Sequence, residues 1–236
     1  MNIYLNKISF AYADSSILNN ISMRLNTGKF VCLLGRNGSG KTTLMQIASG
    51  RLAPTSGEIR YSETDNLIRN HKTLKRHFSI LPQGIQDPPY LKVREILELA
   101  KYNPKTQSIF IFEMNDKQAI VSAMTSCGIE NFADRPFNEL SGGEKQRVWL
   151  AFCLIQNKPF MMLDESLHAL DFTSKDQAFR LLATLASKGK GILLSTHDLA
   201  LAEKYADQII HLEGGKITYD GPSGEDLKNV FTRILH

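Results

Sequence analysis

GRNGSGKT (35–42) places three glycines, a lysine and a threonine between an apolar run and a helical one. Gly35, Gly38 and Gly40 let the backbone curl so that successive N–H groups point inward at an anion. Lys41 can reach phosphate oxygens, and Thr42 offers a hydroxyl to a hard divalent cation. The pattern fits G-x-x-x-x-G-K-[ST], which cradles the phosphates of a nucleotide. FMMLDESLHALD (160–171) raises a second question, because four hydrophobes stop at two adjacent acids, Asp164 and Glu165. Alone, that pair reads first as loop solvation. Beside a phosphate cradle, Asp164 suits Mg²⁺ held through water, and Glu165 suits a base that polarises an attacking water. His197, in STHD (195–198), ends another apolar run and is placed to meet the terminal phosphate or that water.

A third stretch, ELSGGEKQR (139–147), carries Ser141 three residues before Glu144 in the form of a capping box. Val148, Ala151, Phe152 and Ile155 then give the following helix an apolar face. A well-capped helix would account for all of this except Gly142 and Gly143. Two poor helix formers in the first turn bare N–H groups at the positive helix end, which suits an anion.

The elements that must position these residues alternate between strand and helix. Ile8, Phe10 and Tyr12, then Ile21, Met23 and Leu25, alternate as antiparallel strands with one wet face. KFVCLLG (29–35) is a buried strand, and TTLMQIASG (42–50) a helix stopping at Gly50. The polar stretch 61–80, with the basic cluster HKTLKRH (71–77), reads as a solvated loop or helix face. From Pro88 to Lys158 the pattern is helical, with Ile120, Ala123, Met124 and Cys127 on one face and Gly128 as a stop. PFMMLD (159–164) and GILLST (191–196) return to strand, and IIHLEGGKITYDG (209–221) predicts a hairpin turning at Gly214-Gly215.

Composition narrows the classes. With 236 residues, 42% hydrophobic and 22% charged, the chain suits an ordinary globular domain rather than disorder or fibre. A net charge of +4 fits a phosphate ligand but is too small to argue for nucleic acid. Cys32, Cys127 and Cys153 lie far apart in apolar surroundings, which predicts buried thiols rather than disulfides or zinc. No run approaches the ~18 apolar residues of a membrane span, and no charged-then-apolar leader follows Met1. A cytosolic protein is expected, held at a membrane only through another subunit.

LSGGE (140–144), with GRNGSGKTT upstream and LDE and ALD downstream, resembles the ATP-binding subunit of ATP-binding cassette (ABC) transporters over nearly the whole chain. The guanine-reading Asn-Lys-x-Asp of GTPases is missing from the sequence, which favours ATP. The resemblance implies one ATP-binding domain over 1–236, an α/β P-loop NTPase core with an N-terminal antiparallel β subdomain and a helical insert at approximately 85–157. It implies an ATPase in which two copies face head to tail around ATP and Mg²⁺. Gly35, Asn37, Gly38, Ser39, Gly40, Lys41, Thr42 and Thr43 of one copy, with Ser141, Gly142 and Gly143 of the other, would bind the nucleotide.

Within that sandwich Lys41, Gln83, Glu165 and His197 would serve catalysis, and Thr42, Gln83 and Asp164 would serve the metal. Gln83, in ILPQ (80–83), would also meet the transmembrane partner, and Asp171 would belong to the loop facing the opposing site. Tyr12 would stack on adenine, although as a bare residue it reads equally as a core tyrosine. Integral-membrane permease subunits would hold the pair at the cytoplasmic face, with a substrate-binding protein as an indirect partner and no nucleic acid. DPPYLKVREILELAKY (87–102), FADRPFNELSGGEKQR (132–147) and THDLALAEKYADQIIHLEGGKI (196–217) resemble importer ATPases for iron–siderophore, haem or cobalamin. An exporter motor, or a non-transport ATPase of iron–sulfur assembly or repair, are the alternatives. One departure stands out: Ser166, Leu167 and His168 occupy the place of the family's Pro-Thr-Ser. At that position His168 is either a tolerated loop substitution or a change that perturbs closure of the pair, with pH dependence near neutrality.

Overall fold

The computed structural model describes residues 1–13, 15–61, 66–67, 71–102 and 114–224. In chain order the elements begin with β1 (Asn2–Tyr12), β2 (Ser15–Asn26), β3 (Phe30–Leu34), α1 (Lys41–Ala48), β4 (Ser56–Tyr61), β5 (Asn66–Leu67) and β6 (Phe78–Leu81). They continue with α2 (Val93–Leu99), α3 (Met114–Cys127), α4 (Gly142–Ile155), β7 (Phe160–Asp164) and α5 (Phe172–Ser187). The last are β8 (Gly191–Ser195), α6 (Leu199–Tyr205), β9 (Gln208–Glu213) and β10 (Lys216–Pro222).

Two sheets form. β2-β1-β4-β5 is antiparallel, and a six-stranded sheet runs β10-β9-β3-β8-β7-β6. Within the second, β9, β3, β8, β7 and β6 are parallel, and β10 joins β9 as the antiparallel hairpin. Its turn sits at Gly214 and Gly215, both at positive φ (52° and 73°), as the sequence predicts.

The central strands read as unbroken apolar runs because both faces are covered. Phe30, Cys32 and Leu34 of β3, Met161 and Leu163 of β7, and Ile192 and Leu194 of β8 pack into a core with helices α2–α6. The alternate residues Val31, Leu33, Phe160, Met162 and Leu193 pack with α1 and the antiparallel sheet. The three cysteines are free and buried, as expected.

Three details differ from the sequence reading. Tyr12 is 53% exposed and meets Phe10 edge-on at 4.7 Å, so it is not a core tyrosine like its strand-mates Ile8 and Phe10. The supposedly solvated stretch 61–80 closes on a short helical turn at His71–His77 that buries Leu74, and then on β6. Residues 62–65 and 68–70 of that stretch lie outside the described residues. α5, which caps itself through Asp171 and buries Ala178, Phe179 and Leu182, went unremarked in the sequence.

Parallel order is what assembles the site. β3, β8, β7 and β6 are neighbours pointing the same way, so their C-terminal ends share one edge of the sheet. Leu81 pairs with Leu163, and Asp164 with Ser195. Gln83 and Glu165 each lie two residues beyond the first pair, and His197 two residues beyond Ser195. Three chain segments far apart in sequence therefore deliver their polar side chains to one place.

Candidate functional site

The loop after β3 needs its glycines for different reasons. At Gly35 (φ 152°) a Cβ would lie 2.3 Å from the Leu212 carbonyl oxygen and 2.7 Å from the Ser39 hydroxyl, so any side chain would collide. Gly40 (φ 103°) is the N-cap of α1 and supplies no side-chain acceptor. α4, α5 and α6, by contrast, are capped by Ser141, Asp171 and Asp198. α1 also has no acidic residue in its first turn. Its opening amides and the positive end of its dipole are thus left for an anion from outside.

A cavity of about 420 Å³ opens there, lined by Ile17, Asn37, Gly38, Gly40, Lys41, Thr42, Thr43, Gln83 and Glu165. That volume lies within the usual ligand-site range of ~300–1,000 Å³. Lys41 is buried, and its Nζ donates to the carbonyls of Gly35 (2.8 Å) and Arg36 (3.1 Å). It also forms an ion pair with Glu165 Oε1 at 3.1 Å. His197 Nε2 reaches the same oxygen at 2.9 Å, and Gln83 Nε2 donates to Oε2 at 3.2 Å. An ionised carboxylate only accepts, so the His197 proton at this contact sits on Nε2. Burial pushes the Glu165 carboxyl up, but the hydrogen bond and charge of Lys41, with those of His197, outweigh it and hold the group below its ordinary value.

Ser195, which the sequence reading passed over, ties this cluster to its neighbour. Its buried Oγ donates to Asp164 Oδ1 at 2.6 Å and accepts from the Glu165 N–H at 2.9 Å. A lone serine ending a strand looks like ordinary edge solvation. Only the β7–β8 register, which pairs Asp164 with Ser195, could have found it. Glu165 itself stands at φ 46°, a left-handed conformation that costs a non-glycine residue roughly 1–3 kcal/mol.

The predicted residues divide into groups. Asn37, Gly38, Gly40, Lys41, Thr42, Thr43, Gln83 and Glu165 line one cavity, and His197 joins through Glu165. Gly35 and buried Ser39 shape the loop from behind. Asp164 lies underneath, bound to Ser195. Asp171 is engaged in capping: its two carboxylate oxygens accept from the Ser174 Oγ (2.6 Å) and N–H (3.0 Å), which hold its carboxyl below the ordinary value. Tyr12 is outside the cavity lining, at the end of β1.

Ser141, Gly142 and Gly143 also stand apart from that cavity. Ser141 accepts from the Glu144 N–H (3.3 Å), and Glu144 Oε2 accepts from the Ser141 N–H (2.7 Å), closing the capping box that the sequence predicts. That backbone bond, followed by the Ser141 hydroxyl, holds the Glu144 carboxyl low. Neither glycine has a positive φ, and an added Cβ would meet only ordinary contacts, 3.6 Å at Gly142 and 3.5 Å at Gly143. Among the described residues, nothing requires glycine at either position.

Chemically, the cavity offers amide donors and an ammonium to phosphate, hydroxyl and amide oxygens to a hard cation, and a carboxylate to water. Among the described residues, no three His, Cys, Asp or Glu side chains converge as a metal site.

Comparison with known proteins gives the same picture. A family model described as "ABC transporter" matches residues 18–168. The chain is 30% identical over 220 residues to the petrobactin import ATP-binding protein FpuD of Bacillus anthracis, covering 93% of this chain and 80% of that one. It is 32% identical over 228 residues to the hemin import ATP-binding protein HmuV of Thermobifida fusca (strain YX), covering 97% and 78%. Among solved structures, the ATP-binding cassette MJ0796 in a dimeric post-hydrolysis state bound to ADP and Pi superposes with a TM-score of 0.80 at 25% identity, covering 94% of this chain and 99% of that one. CbiO1 from Clostridium perfringens, described as part of the complex cbiONQ, superposes with a TM-score of 0.80 at 26% identity, covering 98% and 91%.

Proposed function

This chain belongs to the ABC transporter family as an ATP-binding, ATP-hydrolysing subunit, and we propose that it powers import of an iron chelate such as a siderophore complex or haem. The observation that carries the nucleotide reading is the uncapped start of α1, with buried Lys41 beside Gln83, Glu165 and, through Glu165, His197. The names of the curated relatives support the cargo class, since ATP-binding proteins of petrobactin import and hemin import match over most of their lengths.

The ABC transporter cassette MJ0796 is dimeric, and CbiO1 is part of the ABC transporter complex cbiONQ. In our reading two copies of this chain close head to tail on the cytoplasmic face of the permease, with a substrate-binding protein upstream. Gly35 to Thr43 of one copy hold the phosphates. Ser141, Gly142 and Gly143 of the other close over them, which explains two glycines that the chain itself does not need. Tyr12, exposed at the end of β1, is available to stack on adenine. Mg²⁺ would be held by the phosphates with Thr42, Gln83 and, through water, Asp164. When bound, it would neutralise the developing phosphoryl charge.

Glu165 then orients and deprotonates water, and His197 holds the terminal phosphate or that water. Lys41 pairs with Glu165, and phosphate oxygens competing for the ammonium would leave the carboxylate free to act as a base. The direct test is Mg²⁺-dependent ATP hydrolysis by the purified chain with its permease. Glu165→Gln should retain nucleotide binding and lose turnover by two to four orders of magnitude, roughly the contribution of a positioned base. Normal turnover in that variant would remove Glu165 from the role. For the cargo, recovery of the permease in a pulldown and uptake of a labelled ferric chelate or haem are expected; a permease that transports neither would overturn the import reading.

A further inference from the structure

We infer that Ser195 and His168 are positioning residues that grip the two ends of the Glu165 backbone and hold this residue in its left-handed conformation. The inference rests on the reading of Glu165 as the base. Ser195 Oγ accepts from the Glu165 N–H at 2.9 Å, and His168 Nδ1 lies 2.7 Å from the Glu165 carbonyl oxygen. A carbonyl accepts only, so Nδ1 carries the proton.

Three observations make the grip necessary. Glu165 stands at φ 46°, a conformation that favours glycine over a side-chain-bearing residue. The loop that follows contains no proline: Ser166, Leu167 and His168 lead directly to Ala169. No ring therefore restricts φ there. Ser166, next in the chain, is buried with its hydroxyl unpartnered and contributes no anchoring hydrogen bond of its own. The direction of the carboxylate follows from the peptide that carries it, and side chains engage both polar groups flanking the Glu165 Cα, the N–H being shared between the Ser195 hydroxyl (2.9 Å) and, at 3.3 Å, the Ser195 carbonyl. Ser195 does more than His168, because the same hydroxyl donates to Asp164 Oδ1 at 2.6 Å. One buried atom thus sets both adjacent acids.

The experiment uses the full chain with its permease and measures kcat, KM for ATP and the half-saturating Mg²⁺ concentration. His168→Ala should lower kcat about tenfold (~1.4 kcal/mol) with KM changed less than about twofold. His168→Asn, whose amide can still donate to the Glu165 carbonyl, should recover most of the loss. Ser195→Ala should lower kcat at least as much and also raise the Mg²⁺ requirement, because Asp164 loses its hydroxyl. In a Glu165→Gln background His168→Ala should not reduce the residual rate further, since the group being positioned is already gone, and Ser195→Ala should keep only its effect on the Mg²⁺ requirement.

A His168→Ala protein at wild-type kcat overturns the assignment. So does a loss that His168→Asn fails to recover, or one that persists undiminished in the Glu165→Gln background. Wild-type turnover in Glu165→Gln alone would instead overturn the role of the base and is read separately. ATP affinity equal to that of its own background, wild type or Glu165→Gln, serves as the control that each variant has folded.

Discussion

Replacing Glu165 with Gln should move three quantities in different directions. The Lys41 side chain is 4% exposed, and its only carboxylate partner among the described residues is Glu165, itself 16% exposed. Breaking a buried ion pair from one side costs about 3–5 kcal/mol. Here the glutamine keeps an acceptor oxygen, and the carbonyls of Gly35 and Arg36 still take the Lys41 protons. We therefore expect about 1–2 kcal/mol of lost stability. For a chain of this size that lowers Tm by about 2–8 °C in scanning calorimetry. ATP should bind the variant more tightly, because the phosphates no longer have to separate Lys41 from a carboxylate. The same free energy predicts a gain of about 5–30-fold by titration calorimetry. Turnover falls at the same time. An unchanged nucleotide-free Tm together with unchanged ATP affinity would refute the idea that the lysine–glutamate contact holds the resting site together.

The remaining expectations are simpler. Gly142→Ala and Gly143→Ala should each stabilise the isolated chain by a few tenths to ~1 kcal/mol in denaturant unfolding while lowering ATP-dependent dimer formation and ATPase rate, because the chain has room for both methyl groups; a variant less stable alone and unimpaired in the dimer would contradict this. Gly35→Ala should abolish nucleotide binding, measured by calorimetry, since the Leu212 carbonyl at 2.3 Å leaves no space without backbone movement. Protonation should mimic Glu165→Gln: a depressed carboxyl stabilises the fold fully above its unfolded pKa of about 4.5 and loses that contribution as pH falls through the lower folded value. The Tm difference between wild type and Glu165→Gln should thus be flat above pH 4.5 and shrink below it; a difference that grows with acid would be wrong in sign.

The sequence exposed this site unusually well because its parts are local. The curled loop, the capping box and the two strand-end acids each lie within a dozen residues, and periodicity alone places the strands before them. What it hid was mostly non-local. Ser195 becomes meaningful only when β8 pairs with β7. His168 is exposed, as a surface change would be, and it also meets the carbonyl of Glu165 three residues back, a local contact that its residue type alone does not announce. β6 was lost because FSIL offers four residues with no alternation, after a polar stretch; its strand state comes from pairing with β7 along a buried edge. Tyr12 misled in the opposite direction, since strand alternation put it with Ile8 and Phe10 although it lies at the exposed end of β1.

The central claim is that one nucleotide is held between the curled loop of one copy and the glycine-started helix of another. Sedimentation velocity of Glu165→Gln with and without MgATP tests it most directly. Conversion from monomer to a dimer carrying two ATP, lost when Ser141 is replaced by Arg, is the result predicted. A protein that remains monomeric while saturated with MgATP, or a dimer indifferent to Ser141→Arg, would contradict it.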